Sequence, residues 1–368
     1  MKLLNVEAVL DRDKGIQQAG HKPDIMKELD DNTTSYAILS HRWGAEVSYE
    51  EMIGLMEMEE QQREEIKQRY GYQKIIKSCE QVTKDGYKWL WVDTCCIDKR
   101  SSSELSEAIN SMCRWYRNAQ VCYAHLNDVD ASVFPTERDN DKFGESNGWP
   151  EWFMRGWTLQ ELIAPKQVAF FNKDWAPIGS KQRFAPTLQN ITGIPCEVLR
   201  DGLAAKRLSV AQIMSWAADR KTTRVEDRAY SLMGLFGVNM PMLYGEGEKA
   251  FQRLQLEIIR VSNDHSIFAW YSPTPRPGSV LAEDPRDFRG CGRIRKLEPR
   301  EYVDKLIFQY IKENDLGDPR YIDVFGSNRR ARRRKLAALR DAVHSQQFQT
   351  FTVSNAGIQH VFMAGDCN

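Results

Sequence analysis

Short apolar runs alternate along the first half of the chain with longer stretches whose apolar residues fall three and four apart. Apolar runs at residues 36–40, 88–92, 120–126 and 168–171 predict buried strands, and Leu3 to Val6 predicts a shorter one inside an otherwise polar segment, residues 1–35. Between them the spacing changes to that of helices. Residues 50–68, with Met52, Leu55, Met56 and Met58 among many glutamates, read as one exposed helix that packs through its methionines. Residues 72–84 read as a helix with Ile75, Ile76, Cys79 and Val82 as its buried stripe. Ser101, with Glu104 three residues on, has the form of a capping box opening a helix that runs to about Asn118. Its inward residues are Leu105, Ile109, Met112 and Trp115 or Tyr116. Residues 127–148 are polar and loop-like. Alternation of this kind implies a mostly parallel sheet covered on both faces, with a fifth strand unassigned.

Residues 149–165 carry a stronger expectation. Pro150 suits a first helical turn and Pro165 a stop, so one helix is expected between them. Phe153, Gly156, Leu159, Gln160 and Ile163 would share one of its faces. Glu161 would stand on a flank, one turn after Trp157 and two after Met154. A carboxylate among aromatic and apolar side chains is costly to ionise and useful to chemistry, although most glutamates on helices are simply solvated. Beyond residue 180 the texture is helical. Residues 209–216, 228–236 and 245–261 carry helical spacing, the last with Ala250, Phe251, Leu254, Ile258 and Val261 as a stripe. The pattern divides the chain into an N-terminal extension (1–35), an α/β domain (36–180), a helical region packed on it or following it (181–272), a proline-rich linker (273–290) and a C-terminal mixed region (291–368) with a late strand over 348–353.

Composition narrows the function classes. The chain of 368 residues is 42% hydrophobic and 28% charged, as expected of a soluble globular protein. Lysine and arginine number 51 and so do aspartate and glutamate, so bulk charge points to neither nucleic acid nor a membrane surface. No run reaches the length of a membrane helix, and the N-terminus does not resemble a secretory signal. The eight cysteines show no framework spacing and include no CxxC pair, which predicts reduced thiols, a cytoplasmic location and no metal site. The basic run from Arg329 to Lys335 reads first as a solvated face or arm, ahead of an address or phosphate contact.

Two further stretches end apolar strands in chemically capable residues: Leu39-Ser40-His41-Arg42-Trp43-Gly44, and Trp91-Val92-Asp93-Thr94-Cys95-Cys96-Ile97-Asp98. In α/β sheets, ligands bind outside the carboxyl ends of strands. With Arg155-Gly156-Trp157-Thr158-Leu159-Gln160-Glu161-Leu162 they resemble, in type and order, the HET (heterokaryon incompatibility) domain of fungal proteins. The resemblance is good over 36–165 and weaker to about residue 270. HET domains are distantly similar to TIR domains, which open with a strand ending in Leu-Ser-Phe-Arg and carry a Trp-Cys-x-x-Glu-Leu helix whose glutamate cleaves NAD⁺. Here Leu39 to Arg42 matches the first pattern. Trp157 to Leu162 matches the second, with Thr158 in place of the cysteine.

The resemblance implies a TIR-like, flavodoxin-like α/β fold and a role in non-self recognition and regulated cell death. It also implies self-association and an NLR-type or other incompatibility partner. As NAD⁺ nucleosidase chemistry, it makes Glu161 the catalytic carboxylate. Nicotinamide leaves as a neutral molecule, so a carboxylate that stabilises the oxocarbenium-like ribose suffices. Arg42 would meet the pyrophosphate, Trp43 would stack a base or cover the ribose, and Asp93 and Asp98 would receive ribose hydroxyls. Ser40, His41 and Trp157 complete the set, His41 as a supporting hydrogen-bond partner. An Arg42–Asp98 salt bridge joining two loops is the structural alternative. Two rival functions remain open at this point: a non-catalytic, self-associating scaffold, and a thiol hydrolase with Cys95 or Cys96 as nucleophile, His41 as base and Asp93 as orienter.

Overall fold

The computed structural model describes residues 1–15, 24–55, 57–205, 207–272 and 280–296, together with the backbone of Thr352–Ser354 and Gly357–Gln359. The basic run from Arg329 to Lys335 lies outside the described residues, as does most of the late strand expected over 348–353. What is described there is a short antiparallel pair, Thr352–Ser354 with Gly357–Gln359.

Seven strands form one mixed sheet: β1 (Lys2–Asn5), β2 (Met26–Glu28), β3 (Ala37–His41), β4 (Trp89–Trp91), β5 (Val121–His125), β6 (Val168–Phe171) and β7 (Pro177–Ser180). Their order is β2-β1-β4-β3-β5-β6-β7. The central four, β4-β3-β5-β6, are parallel, and the sequence placed all of them to within a residue or two. The outer strands are antiparallel additions: β1 and β2 on one side, and on the other β7, the strand the sequence left unassigned. The expected mostly parallel sheet is therefore mixed.

Helices α1 (Val6–Asp13), α2 (Tyr49–Gly54), α3 (Glu60–Gln68), α4 (Tyr70–Lys84), α5 (Ser102–Asn118), α6 (Asn140–Phe143) and α7 (Thr158–Ile163) belong to this sheet. The chain steps from β3 outward to β4, then back across to β5 and on to β6. Right-handed crossovers must put helices from steps in opposite directions on opposite faces. Accordingly α4 packs with α1 and α3, while α5 packs with α7 on the other side. The stripe Ile75, Ile76, Cys79 and Val82 of α4 is buried as its spacing demands. In α5 both Trp115 and Tyr116 are buried.

Two expectations fail for local reasons. Residues 50–68 form two helices, not one. Ser48 caps α2 by accepting from Glu51 N at 3.2 Å while the Glu51 carboxylate accepts from Ser48 N at 2.9 Å, and α2 stops at Gly54 before α3 begins at Glu60. At Ser101 the cap forms, but the Glu104 side chain accepts from Asp98 N at 2.9 Å and pairs with Lys2 at 2.7 Å instead of closing a box.

The helical region comprises α8 (Ala185–Thr192), α9 (Cys196–Asp201), α10 (Val210–Ala217), α11 (Asp227–Tyr230), α12 (Met233–Phe236) and α13 (Lys249–Val261). It shares one continuous apolar core with the sheet. In the α13 stripe Val261, expected inside, is 66% exposed at the helix end. Residues 280–296 pack against α10, with Ala282 and Phe288 fully buried. Within the described residues Cys79, Cys95, Cys96, Cys113, Cys122, Cys196 and Cys291 are free thiols. No helix among them is long and apolar enough to cross a membrane.

The contact between α12 and α5 tests whether the two regions fold together. A methyl group at Gly234 would overlap Cβ of Cys113 on α5, whereas one at Gly144 meets nothing. Gly234→Ala is expected to destabilise the protein by about 1–3 kcal/mol, the usual cost of overpacking, and Gly144→Ala to change little. A single melting transition that drops only in Gly234→Ala confirms the shared core.

Candidate functional site

The site is built where β3 ends. Alternation along a strand sends Ser40 and His41 to opposite faces of the sheet. On the α5–α7 face, the Ser40 hydroxyl donates a short hydrogen bond to Glu161 Oε2 and accepts one from Trp152 Nε1 at 2.8 Å. Trp152, Ser40 and Glu161 are all buried, Glu161 at 7% exposure. Burial raises the Glu161 carboxyl from an ordinary 4.5 to about 8. The Ser40 hydrogen bond opposes this, Asp93 adds to it, and the positive charges of Arg155 and Arg220 oppose it. Tyr116, also buried beside Glu161, has its phenol held well above the usual range and donates to Leu39 O at 3.1 Å.

Glu161 does not stand on the long helix expected from Pro150. Residues Glu151–Met154 form one 3₁₀ turn, Arg155 is extended, and α7 starts only at Thr158. The interruption is a parallel bridge between Arg155 and Lys221, in which Lys221 N donates to Met154 O at 2.6 Å and Gly156 N to Lys221 O at 2.8 Å. Gly156 is needed because a methyl group there would overlap Cγ2 of Thr222. Thr158 Oγ1 donates to Trp152 O at 2.5 Å across the break. Buried cations hold both ends of α7. Arg220 Nη1 donates to Arg155 O at 2.8 Å and to Thr158 Oγ1 at 2.9 Å, while Lys181 Nζ donates to Leu162 O at 3.1 Å and also to Pro165 O. Burial brings Lys181 down to about 8.

The other expected site residues divide. Trp43, 46% exposed, donates from Nε1 to Asp93 Oδ2 at 2.7 Å, and the Lys99 ammonium lies 3.9 Å from its ring centre. Asp93 Oδ1 is 3.8 Å from His41 Nε2. Ser40, His41, Trp43, Asp93 and Glu161 thus share one end of the sheet. Arg42 and Asp98 do not meet: Arg42 Nε pairs with Glu151 at 2.7 Å, and Asp98 is turned to Arg100 at 2.8 Å, so their salt bridge is replaced by two local ones. Trp157 lies beside Asp227, toward the helical region. Cys95 and Cys96 are buried, and the neighbouring Cys96 sulfur together with burial holds the Cys95 thiol far above the range in which a thiolate forms. Burial and a disfavoured thiolate make Cys95 a poor candidate for the nucleophile of the thiol-hydrolase reading.

On the opposite face His41 faces α4. Its Nε2 is 3.5 Å from Glu46 Oε2, neither ring nitrogen has a hydrogen-bond partner, and Glu46 pairs with buried Lys74, which donates to Arg42 O at 2.9 Å. Burial would raise Glu46, but His41 and then Lys74 bring it down to about 2. This group fixes the turn that carries Arg42 and Trp43. Glu46, Lys74, Trp152, Arg220 and the Glu151 partner of Arg42 were not singled out from the sequence, and only Glu151 and Trp152, inside the 149–165 stretch, carried a local signal.

Residues 36–149 match the profile of the heterokaryon incompatibility protein (HET) family. The vegetative incompatibility protein HET-E-1 of Podospora anserina is 47% identical over 231 residues, which cover 61% of this chain. The chain carries a HET domain. It spans 16% of the length of HET-E-1. No solved structure matches. Both Glu161 and Arg220 fall outside the segment matched by the HET profile, although Glu161 is hydrogen-bonded to Ser40 within it. Among the described residues no cluster of three or more His, Cys, Asp or Glu could hold a metal.

The raised pKa of Glu161 makes a signed stability prediction. Between 4.5 and about 8 the folded HET domain keeps a proton that the unfolded chain releases, so this group makes stability fall as pH rises through that window. Glu161→Gln accepts from Ser40 but cannot ionise. Its melting temperature is expected to gain on wild type steadily from pH 5 to 8 and to hold level above, at up to ~1.4 kcal/mol per pH unit. A constant difference across that range refutes the buried, protonated carboxyl.

Proposed function

We propose that the chain is an effector of fungal non-self recognition and cell death, and that its HET domain hydrolyses the nicotinamide–ribose bond of NAD⁺ at Glu161. The incompatibility role is taken from the HET family and from the likeness to the vegetative incompatibility protein HET-E-1. The enzymatic reading is carried by one observation: a buried carboxyl, aimed by the Trp152–Ser40 hydrogen-bond chain, at the carboxyl ends of the central strands. The TIR resemblance supports it. The parallel strands run, in chain order, second-first-third-fourth, so the direction of winding reverses between β3 and β5, where doubly wound sheets open a crevice.

The chemistry balances without an acid. The C1′–N bond breaks with its electron pair leaving on nicotinamide, which becomes neutral. Ionised Glu161 stabilises the oxocarbenium-like ribose, water adds at C1′ and its proton passes to solvent. Asp93, held by Trp43, is placed to accept a ribose hydroxyl, and Trp43 offers an exposed ring for stacking. A cationic nicotinamide ring beside Glu161 favours its ionisation, so the site charges as substrate enters.

NAD⁺ consumption by purified protein tests this. Wild type is expected to be active, with kcat/KM rising about tenfold per pH unit toward a plateau above pH 8, where free Glu161 ionises. Glu161→Gln should lose ~10²-fold or more. Ser40→Ala should shift the acid limb upward, because its hydrogen bond favours the ionised form. Activity that grows faster than protein concentration would add self-association. Equal rates in wild type and Glu161→Gln, or silence of wild type even when clustered, would leave the self-associating scaffold in its place.

A further inference from the structure

Charge around Glu161 is unbalanced, in a chain whose charges balance overall. Arg155 and Lys221 are bridge partners on neighbouring extended segments, so their side chains emerge side by side. Arg155 is half-buried and Lys221 exposed. Arg220 lies beneath them at 6% exposure, with Nη2 unpartnered. Among the described residues none of the three has a salt bridge. Lys221 Nζ reaches only a carbonyl, Glu145 O, at 3.3 Å. Three carboxylates of this region are otherwise engaged: Asp93 with Trp43, Asp227 with Tyr244, and Glu151 with Arg42. The charges of Arg155 and Arg220 act on the Glu161 carboxyl, which burial nevertheless holds up at about 8. Three cations without a counter-anion repel one another, and a bound anion relieves that cost.

We propose that Arg155 and Lys221, backed by the buried charge of Arg220, bind the diphosphate of the dinucleotide substrate, the role that Arg42 cannot fill while it pairs with Glu151. This assignment rests on the nucleosidase reading for its ligand, but the cation cluster does not. Arg155 is three residues from the start of α7 and six from Glu161, so a diphosphate held there leaves the adjoining ribose within reach of the carboxylate. The planar guanidinium gives paired hydrogen bonds to phosphate oxygens and Lys221 a point charge. Binding here joins the helical region to the sheet, because one cation comes from each segment of the bridge.

Two measurements test it, the first independent of turnover. Calorimetric titration with inorganic pyrophosphate is expected to show binding to wild type that weakens with salt, and a loss of ~10-fold or more in Arg155→Gln/Lys221→Gln, with unchanged melting temperature. Arg42→Gln should bind as wild type. No binding to wild type, or equal binding to the double variant, overturns the proposal whatever the enzyme does. The second compares NAD⁺ with nicotinamide riboside, which has the same scissile bond and no diphosphate. The double variant should lose ~10- to 100-fold in kcat/KM on NAD⁺ and less than ~3-fold on the riboside, with partial recovery in Arg155→Lys. Equal losses on both substrates would mean that these cations only shape Glu161. Pyrophosphate binding without turnover of either substrate would defeat the nucleosidase reading and leave the anion site standing.

Discussion

A carboxyl group with almost no water around it must find its hydrogen bonds inside the protein, and at Glu161 the requirement is met by the Ser40 hydroxyl, itself oriented by the Trp152 indole. Three segments have to be in place for that chain to form, one of them more than a hundred residues before the other two. β3 must end at the sheet's rim, the turn at Glu151–Met154 must present Trp152, and α7 must hold Glu161 over both. The short α7 could not keep its position by intrinsic helix stability, since six residues are far below what a free helix needs. Its ends are instead held by two cations whose burial is otherwise unfavourable: Arg220 donates to Arg155 O, just before the helix, and to Thr158 Oγ1, and Lys181 donates to Leu162 O in the last turn.

The two faces of β3 divide the work. Ser40 looks toward α5 and α7 and their aromatic packing. His41, its neighbour, looks toward α4 and a group of charges that includes Glu46 and Lys74. Asp93 lies close enough to feel both, since it faces His41 and also raises Glu161. The exposed Trp43 ring is held by its hydrogen bond to Asp93 and by the Lys74 contact to the Arg42 carbonyl. Rigid support on one face and a buried carboxyl on the other is an arrangement suited to holding a ligand at the rim without letting the rim move.

The unit that makes the site is larger than the segment recognised by the HET profile. Residues 36–149 supply Ser40, Trp43 and Asp93, but Trp152, Glu161, Lys181 and Arg220 come after them. The 231-residue likeness to HET-E-1 is longer than that segment, in keeping with one core that runs from the sheet through α13. Gly156 and Gly234 both sit where backbone and neighbour leave no room for a side chain, one against Thr222 and the other against Cys113.

What the sequence determined by itself was local. Apolar runs located the four parallel strands, the α4 stripe had the spacing its burial required, and the Ser101 cap and the end of α5 near Asn118 follow from short-range chemistry. The motifs also brought Ser40, Asp93 and Glu161 to one end of the sheet, because strand ends in a parallel sheet share a side. The tertiary structure decided whatever depended on a distant partner. The helix expected from Pro150 breaks because Lys221, more than sixty residues on, pairs with Arg155 and Gly156. Arg42 goes to Glu151 and not Asp98, a choice between carboxylates that no spacing encodes. Glu161 reads as a flank position in sequence and is buried in the fold, because burial depends on what else covers the site. Arg220 gave no signal at all: in sequence it is one arginine among many charged residues, and only packing showed that it is the buried cation at the start of α7.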